Sequence, residues 1–464
     1  MTGAGLLKHE GALPRLGEAE NERDADLSKN TLERVYRALT AEDDGRVCLD
    51  IPESACNHQP RNFLTHIVSL GATKTADGLI DPKLVLAWLL THLGAPAAFI
   101  GLLVPVRESG ALLPQLFTAA SLRRLAQRKW AWAAGSVVQG LAAISIAIAA
   151  LTLEGAAAGA AIITALAILA LARSVCSVTY KDVLGKTVSK SRRGTATGTA
   201  ASISSLFVIL FGLALASGIF DRSSLVPSAI LVAGGLWLMA ALLFSTLQEE
   251  PGSTEGGRNP LKAAWKNLSL LKKDAQLRRF IATRGLLIST ALAPPFMVAL
   301  SASETATSAF GGLGLLVIAS SGAALLSSYV WGRLADRSSR KVLIFSALAA
   351  TLALAATLIL YFTGQLQAVW ALPAVVFALM IAYQGVRLGR STHLVDMANE
   401  DTRAAYTALS NTIIGVLLAL GTVFSLLAEV AGVATVIGVL AVMSAGAAVV
   451  ALGLEEVQAS DSEA

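Results

Sequence analysis

Twelve apolar stretches of about 20 residues, separated by short polar segments, occupy most of this chain of 464 residues. A helix of that length crosses the bilayer core, where every backbone polar group must be satisfied within the protein. Hydrophobic residues make up 54% of the chain and charged residues 15%, a balance that excludes a soluble globular domain. The sequence therefore predicts an all-α polytopic membrane protein. The twelve predicted transmembrane spans lie near 61–80, 94–120, 130–153, 158–180, 195–218, 225–248, 279–302, 308–331, 341–363, 367–388, 404–428 and 432–453.

Lysine and arginine are distributed unevenly between the predicted loops. Every second loop carries a cluster of cations, whereas the loops on the other side carry only Lys83 and Arg222. Because cationic loops remain in the cytoplasm, both termini are predicted to be cytoplasmic. The net charge of +5 then reflects topology in a cell membrane, the inner membrane in a bacterium, and does not indicate nucleic-acid binding.

The two halves of the chain are related by an internal repeat with an offset of about 210 residues. Residues 110–129 parallel 322–341, and the loop ending at Arg193 parallels the loop ending at Arg403. The predicted organisation has five parts: a cytoplasmic N-terminal tail (1–57) with a short amphipathic helix at 31–40, a six-helix half (58–248), a cytoplasmic central loop (249–278), a second six-helix half (279–454) and a cytoplasmic C-terminal tail (455–464). The first span of each half is predicted to break, at Asp77-Gly78 and at Pro294-Pro295.

The turn between spans 8 and 9 reads GRLADRSSRK, starting at Gly332. Glycine lets two helix backbones approach, an aspartate can pair with an arginine or cap a helix, and the cations hold the loop in the cytoplasm. This segment resembles the signature loop of the major facilitator superfamily, with Ser339 in place of the family's second glycine. In the first half the loop is degenerate, because Ala120 and Arg124 stand at the glycine and aspartate positions.

The resemblance implies a secondary active transporter, a monomeric permease without a cofactor, in which two six-helix halves rock around a small-molecule site near the bilayer midplane. Two acids lie in corresponding cytoplasmic loops, after spans 4 and 10. We expect them to form ion pairs across the halves that close the cytoplasmic mouth, or else to cap helix ends. The predicted gating residues are Gly332, Asp336, Arg337, Arg340, Asp182 and Asp396.

Charged residues inside apolar spans are costly unless they are paired, hydrated or functional. Six of them are therefore candidates for substrate binding or proton coupling: Lys74, Asp77, Arg107, Glu108, Arg173 and Arg284. Lys74 and Asp77 are spaced three residues apart in span 1 and can face each other. Glu108 is the deepest acid and suits a proton-coupling site, unless an arginine of the bundle neutralises it.

Cations on the spans that line the central cavity favour an anionic organic substrate. By the family resemblance, Arg173 and Arg284 lie on such spans, and together with Lys74 they would make the cavity cationic. Guanidinium groups bind carboxylate or phosphate through two parallel hydrogen bonds. Alternatively, both arginines extend to the membrane interface or seal the inner gate. Arg387, closer to the cytoplasm, is interpreted as a loop anchor.

Other functions remain open at this point. A drug efflux pump is one alternative, and a non-transporting assembly or sensing protein of the same fold is another. An enzyme is not predicted, because the spans contain no nucleophile motif, metal-ligand cluster or phosphate-binding glycine loop. Cys48, Cys56 and His58 lack the spacing of a metal site, and the cysteines are interpreted as reduced cytoplasmic thiols.

Overall fold

The structure is a computed structural model that describes residues 35–36, 56–115, 122, 124–219, 221–251, 271–272, 274–302, 312–398 and 400–457. Fifteen helices, labelled α1 to α15, run through these ranges from residue 59 onward. Their bounds are α1 Gln59–Leu79, α2 Val85–His92, α3 Ala97–Leu112, α4 Lys129–Thr152, α5 Gly155–Thr187, α6 Lys190–Ser217, α7 Arg222–Ser245, α8 Ala275–Leu286, α9 Ser289–Ala302, α10 Leu313–Arg337, α11 Ser339–Phe362, α12 Ala371–Met397, α13 Glu400–Leu420, α14 Val423–Ala431 and α15 Val433–Leu452.

Ten of the described helical segments are long and apolar enough to cross a membrane, with mean hydropathies between 1.4 and 2.4. They coincide with predicted spans 3 to 12, so the all-α polytopic class is confirmed. The first two predicted spans correspond to α1, α2 and α3, which are individually too short or too polar to meet the same criterion.

The first span is longer than predicted and breaks in a different place. α1 passes through Asp77 without interruption, and the break covers 80–84, between α1 and α2. Pro82 explains this position, because proline lacks an amide hydrogen and disfavours the helical conformation of the residue before it. The side chain of Asp81 stabilises the break, since its Oδ1 accepts hydrogen bonds from the amides of Lys83 (2.7 Å) and Leu84 (3.2 Å).

The direction of α2 places Lys83 inside the bundle rather than in an outer loop. The amide of Gly155, at the start of α5, donates to the carbonyl oxygen of Leu93 at 2.7 Å, so α2 ends at the edge of the bundle where α5 begins. The first span therefore extends through α2, and Lys83 lies within it with 7% of its surface exposed. The predicted outer-loop position of Lys83 is wrong.

The first span of the second half also breaks earlier than predicted. Pro294 and Pro295 lie inside α9, and the interruption falls at 287–288, between α8 and α9. The carbonyl oxygen of Leu287 accepts hydrogen bonds from the amide (3.2 Å) and the hydroxyl (2.8 Å) of Thr290, so the chain forms a tighter three-residue turn here in place of an α-helical turn. Both halves thus begin with a divided span, broken near the middle in the second half and closer to the opposite end in the first.

Two sides of the bundle can be distinguished. The amide Nδ2 of Asn62, near the start of α1, donates to the backbone carbonyl of Gln248, just after α7, at 3.1 Å. We call this end, where each half starts and finishes, the terminal side, and the other end the opposite side. On the opposite side the backbones of the two halves are in contact at Gly314 of α10. A Cβ atom added to this glycine would lie 2.4 Å from the amide nitrogen of Ala216 of α6, which is too close for any larger residue.

On the terminal side of the first half, a buried carboxylate after α7 links the start of α4 to the end of α5. The Glu249 side chain has no exposed surface and accepts hydrogen bonds from the amides of Arg128 (3.1 Å) and Lys129 (2.8 Å), at the start of α4. The ammonium group of Lys186, near the end of α5, donates to the same carboxylate at 3.1 Å. Glu249 therefore caps one helix and anchors another by charge-assisted hydrogen bonds.

The second half has a related contact at the corresponding position. Ser338 caps α11 by accepting from the amide of Lys341 at 3.1 Å, and its hydroxyl donates to Glu456. Glu456 follows α15 as Glu249 follows α7. The internal repeat therefore extends beyond the spans to the acids that tie each half together.

We expect Glu249→Ala to lower the free energy of unfolding by about 2–3 kcal/mol, because Lys186 and two α4 amides lose a buried acceptor. The measurement is the thermal midpoint in detergent, followed by tryptophan fluorescence. Glu250→Ala, at the exposed neighbouring position, is the matched control. Equal midpoints for the two variants would contradict a structural role for Glu249.

Candidate functional site

Three adjoining cavities lie between the two halves, and Arg387 of α12 lines all of them. The lateral cavity, of about 580 Å³, lies between α1, α6, α10 and α12. The deep cavity, of about 190 Å³, reaches the break between α1 and α2. The terminal-side cavity, of about 460 Å³, lies between α3, α5, α8, α9, α12 and α13. Together they form the candidate functional site.

Cationic side chains outnumber acidic ones in these walls. Among the described residues, six cations line the three cavities against two acids, which leaves an excess of four positive charges. The acids are Asp81 and Glu108, and the cations are Lys74, Lys83, Lys181, Arg284, Arg387 and Arg390. An excess of this sign in a partly desolvated space favours an anion.

Asp77 forms a partly buried ionic cluster with two of the predicted site residues. Its Oδ1 accepts a hydrogen bond from Arg107 of α3 at 2.7 Å, and its Oδ2 accepts from Arg173 of α5. Three spans of the first half are joined in this way. The predicted pairing of Asp77 with Lys74 is replaced by these arginines, and Lys74 lines the lateral and deep cavities instead.

Glu108 follows Arg107 in the sequence but has a different environment. Its side chain lines the terminal-side cavity, and it forms no ion pair within 4.0 Å to any residue that the structure describes. The arginines proposed to neutralise it are engaged elsewhere, because Arg107 and Arg173 bind Asp77. Lys83 and Arg107 are the cations that act on Glu108 most strongly.

Arg284 is held in place by α13. Its guanidinium donates to the hydroxyl of Ser410 and, at 3.3 Å, to Oδ1 of Asn411, and it lies 5.7 Å from the ring centre of Phe280. Only 7% of its surface is exposed, so it does not extend to the membrane interface. Arg284 thus presents a fixed cation to the terminal-side cavity.

Two cavity residues were missed or misinterpreted from the sequence. Lys83 reaches across the halves, with its Nζ 3.1 Å from the hydroxyl of Tyr383 and 4.3 Å from that ring's centre. Arg387, interpreted as a loop anchor, lies one turn after Tyr383 and lines all three cavities of the candidate site. Two features of the sequence could have identified these residues. Tyr383, Arg387 and Arg390 are spaced to share one helix face, and a proline precedes Lys83 within a span.

The predicted gating residues occupy different settings. Asp182 pairs with Arg128 and Lys186, both in the first half, so in the described conformation its ionic partners do not come from the second half. Asp396 is exposed near the end of α12. These positions leave Asp182 with a structural role at the terminal side of the first half.

The signature-like loop differs from the expected close-packed turn. A Cβ added to Gly332 would meet no heavy atom within 4 Å, so this glycine does not mediate a close backbone approach. Arg337 is exposed, and Arg340 donates to the carbonyl of Leu452 at 2.6 Å. Ser339 is buried and contacts Nδ1 of His393 at 2.9 Å. The side chain of Asp336, and its predicted pairing, lie outside the described residues.

Part of the N-terminal tail can be placed. Residues 35–36 are helical, and Tyr36 packs edge-on against Phe63 with 5.2 Å between ring centres. The amide of Gln59 donates to the Tyr36 hydroxyl at 2.7 Å, so this point of the tail docks on the start of α1. Cys56 is disulfide-bonded, contrary to the predicted reduced thiol. Cys48 and the rest of the predicted tail helix lie outside the described residues.

No protein-family model matches the sequence, and no curated protein matches it. Solved structures with a similar fold include the nucleoside transporter NupG, with a TM-score of 0.64 and 13% identity over 84% of this chain and 98% of NupG. A POT family transporter in complex with 5-aminolevulinic acid gives a TM-score of 0.64 and 11% identity over 84% and 95%. The xylose transporter XylE from E. coli, in a partially occluded inward-open conformation, gives 0.60 and 12% over 83% and 97%.

These similarities span nearly the whole length of each transporter and cover both halves of the present chain. They extend well beyond the signature-like loop on which the sequence resemblance depends. At identities of 11–13% the likeness establishes architecture and leaves the substrate to be argued from the site. The chain therefore has the fold of major facilitator superfamily transporters.

Proposed function

We propose that this protein is a secondary active transporter that carries a small organic anion through a cell membrane by alternating access. The excess of four positive charges in the cavities between the two halves is the observation that carries this proposal. A lipophilic cation, the usual cargo expected of a drug pump, would meet electrostatic repulsion in the same space. The fold supplies the two halves that alternating access needs.

The substrate would be held by cations from both halves. Lys74 and Lys83 come from the first half, and Arg284, Arg387 and Arg390 come from the second. Guanidinium groups match the geometry of carboxylate and phosphate, whereas the lysines act as point charges. A small solute with at least one carboxylate or phosphate group is therefore the proposed class.

The proposed transport cycle starts from the described conformation. Both termini, and with them the terminal side, would face the cytoplasm, as the cationic loops predict. On the opposite side, α6 and α10 are in backbone contact at Gly314, and α3 touches α14 where Gly101 faces Ser425. Transport to or from the other compartment would open these contacts and close the terminal-side cavity around the anion.

Proton coupling would use Glu108 rather than Asp77. Asp77 is occupied by two arginines and serves as the ionic link between α1, α3 and α5. Glu108 faces the cavity without a direct ionic partner among the described residues. Because the cavity cations favour the ionised form of Glu108, we expect a proton to reach it together with an entering anion, which takes over those cations.

The proposal is tested by binding and flux. We expect carboxylates or phosphates, and not lipophilic cations, to raise the unfolding midpoint of the purified protein. Radiolabelled anions that raise the midpoint should accumulate in proteoliposomes.

We expect Arg387→Gln to weaken anion binding about tenfold or more, because the variant loses a charge-assisted hydrogen bond to the anion. Lys272→Gln, at an exposed cation away from the cavities, is the control. Selective stabilisation by lipophilic cations, or anion binding without flux, would overturn the proposal.

We expect Asp77→Asn to destabilise the protein by about 2 kcal/mol, because Arg107 and Arg173 would lose the carboxylate between them in a partly buried site. Thermal unfolding of the purified variant measures this effect. Glu154→Gln, at an exposed acid before α5 whose side chain makes no capping hydrogen bond, should leave the midpoint unchanged. An Asp77→Asn protein as stable as the parent would exclude the proposed ionic link.

A separate prediction concerns the charge of Glu108. The cations around the cavities favour its ionised form, which competes with a substrate anion for the same cations. We therefore expect Glu108→Gln to bind and take up anions more strongly than the parent at neutral pH, measured by the shift of the unfolding midpoint and by uptake into proteoliposomes. Binding and uptake equal to those of the parent would rule out this competition.

A further inference from the structure

Lys74 of α1 and Arg387 of α12 face the same two cavities from opposite halves of the protein. The lateral cavity has no acidic residue in its described lining. Its other polar groups are the amide of Gln384, the indole of Trp331 and five serine hydroxyls, those of Ser202, Ser204, Ser205, Ser328 and Ser391. Neutral hydroxyls and amides can donate to an anion but cannot neutralise two cations.

The acids closest to this pair are already occupied or lie elsewhere. Both oxygens of Asp77 accept from arginines, and Oδ1 of Asp81 accepts from two backbone amides. Glu108 lines the terminal-side cavity together with Arg387 but forms no ion pair within 4.0 Å with it, and Lys74 does not line that cavity. Lys74 and Arg387 form no ion pair within 4.0 Å to a described residue, and their like charges repel each other.

This arrangement affects the empty and the loaded protein differently. Closing the terminal side brings the two halves together and removes water from between the two cations, so their repulsion increases in the empty protein. A bound carboxylate or phosphate replaces that repulsion with attraction to both groups. A ligand shifts a conformational equilibrium by the difference in its interaction with the two states.

We infer that Lys74 and Arg387 form an anion clamp between the halves that makes transport an obligatory exchange of anions. The protein changes its open side when the clamp holds an anion, and the empty protein stays open on the terminal side. This inference rests on the proposed function, because it specifies how the same cavity couples anion binding to the conformational change.

The clamp can be tested without a known substrate. Spin labels at Gly198→Cys of α6 and Gly332→Cys of α10 would report closure beside the lateral cavity, since a Cβ at either glycine meets no heavy atom within 4 Å. In ligand-free protein the labelled parent should show one long distance. Adding Lys74→Gln, which removes one charge of the pair, should produce a second, shorter distance. Lys272→Gln in the same labelled protein should match the parent.

The inference of an anion clamp would be overturned if Lys74→Gln and Arg387→Gln both gave the same distance distribution as the labelled parent. If a variant folds poorly, its unfolding midpoint identifies the defect, and the other variant still tests the same repulsion. Because this measurement uses no ligand, its result does not depend on whether the protein transports an anion.

Flux measurements test the exchange directly. The probes are radiolabelled inorganic phosphate and succinate, one for each anionic group, added to proteoliposomes that are empty or preloaded with the unlabelled probe. In the parent, uptake into preloaded vesicles should be at least about tenfold faster than into empty vesicles, because the empty protein has the higher barrier to closure. Lys74→Gln should bring this ratio toward one.

The two proposals fail in different ways. Equal uptake into empty and preloaded vesicles by the parent would reject obligatory exchange while leaving anion transport intact. Absence of uptake of every anion that binds would reject the proposed function, whereas the spin-label distances would still decide whether Lys74 and Arg387 hold the empty protein open.

Discussion

A charged side chain in the interior of a membrane protein must be paired or must face water, and this constraint sorts the charged residues of the spans into two groups. Asp77, Arg107 and Arg173 satisfy each other and connect three spans of the first half. Lys74 and Arg387 lack such partners among the described residues and line the cavities between the halves. The first group stabilises one half, and the second defines the chemistry of the space between both.

The division of the first span follows from the same need to place polar groups. The break at 80–84 exposes backbone amides, and the Asp81 carboxylate satisfies two of them. This geometry directs Lys83 toward Tyr383 in the other half instead of toward the bilayer. A helix continuing through Pro82 would lack both the break and the cross-half contact, so the proline and the aspartate together determine where this cation lies.

Hydropathy predicted most of the fold because ten spans are apolar enough to be recognised without tertiary information. It failed for the first span because α1 is polar along much of its length, and the apolar α2 that completes the span follows a proline. The sequence also identified Asp77, Arg107 and Arg173 as buried charges, but periodicity favoured a pairing of Asp77 with Lys74 on the same helix. The arginines that bind Asp77 come from α3 and α5, and contacts between separate helices are not encoded in local spacing.

The strengths of the contacts within and between the halves indicate where motion is least costly. Within the first half, Glu249 accepts from two α4 amides and from Lys186, and breaking that buried cluster would leave several polar groups unsatisfied. Between the halves on the opposite side, close contacts are made at small residues such as Gly314, which can separate without exposing an ionic pair. Each half should therefore move as a rigid body, and the energy that resists closure should reside in the unpaired cations that the halves bring together.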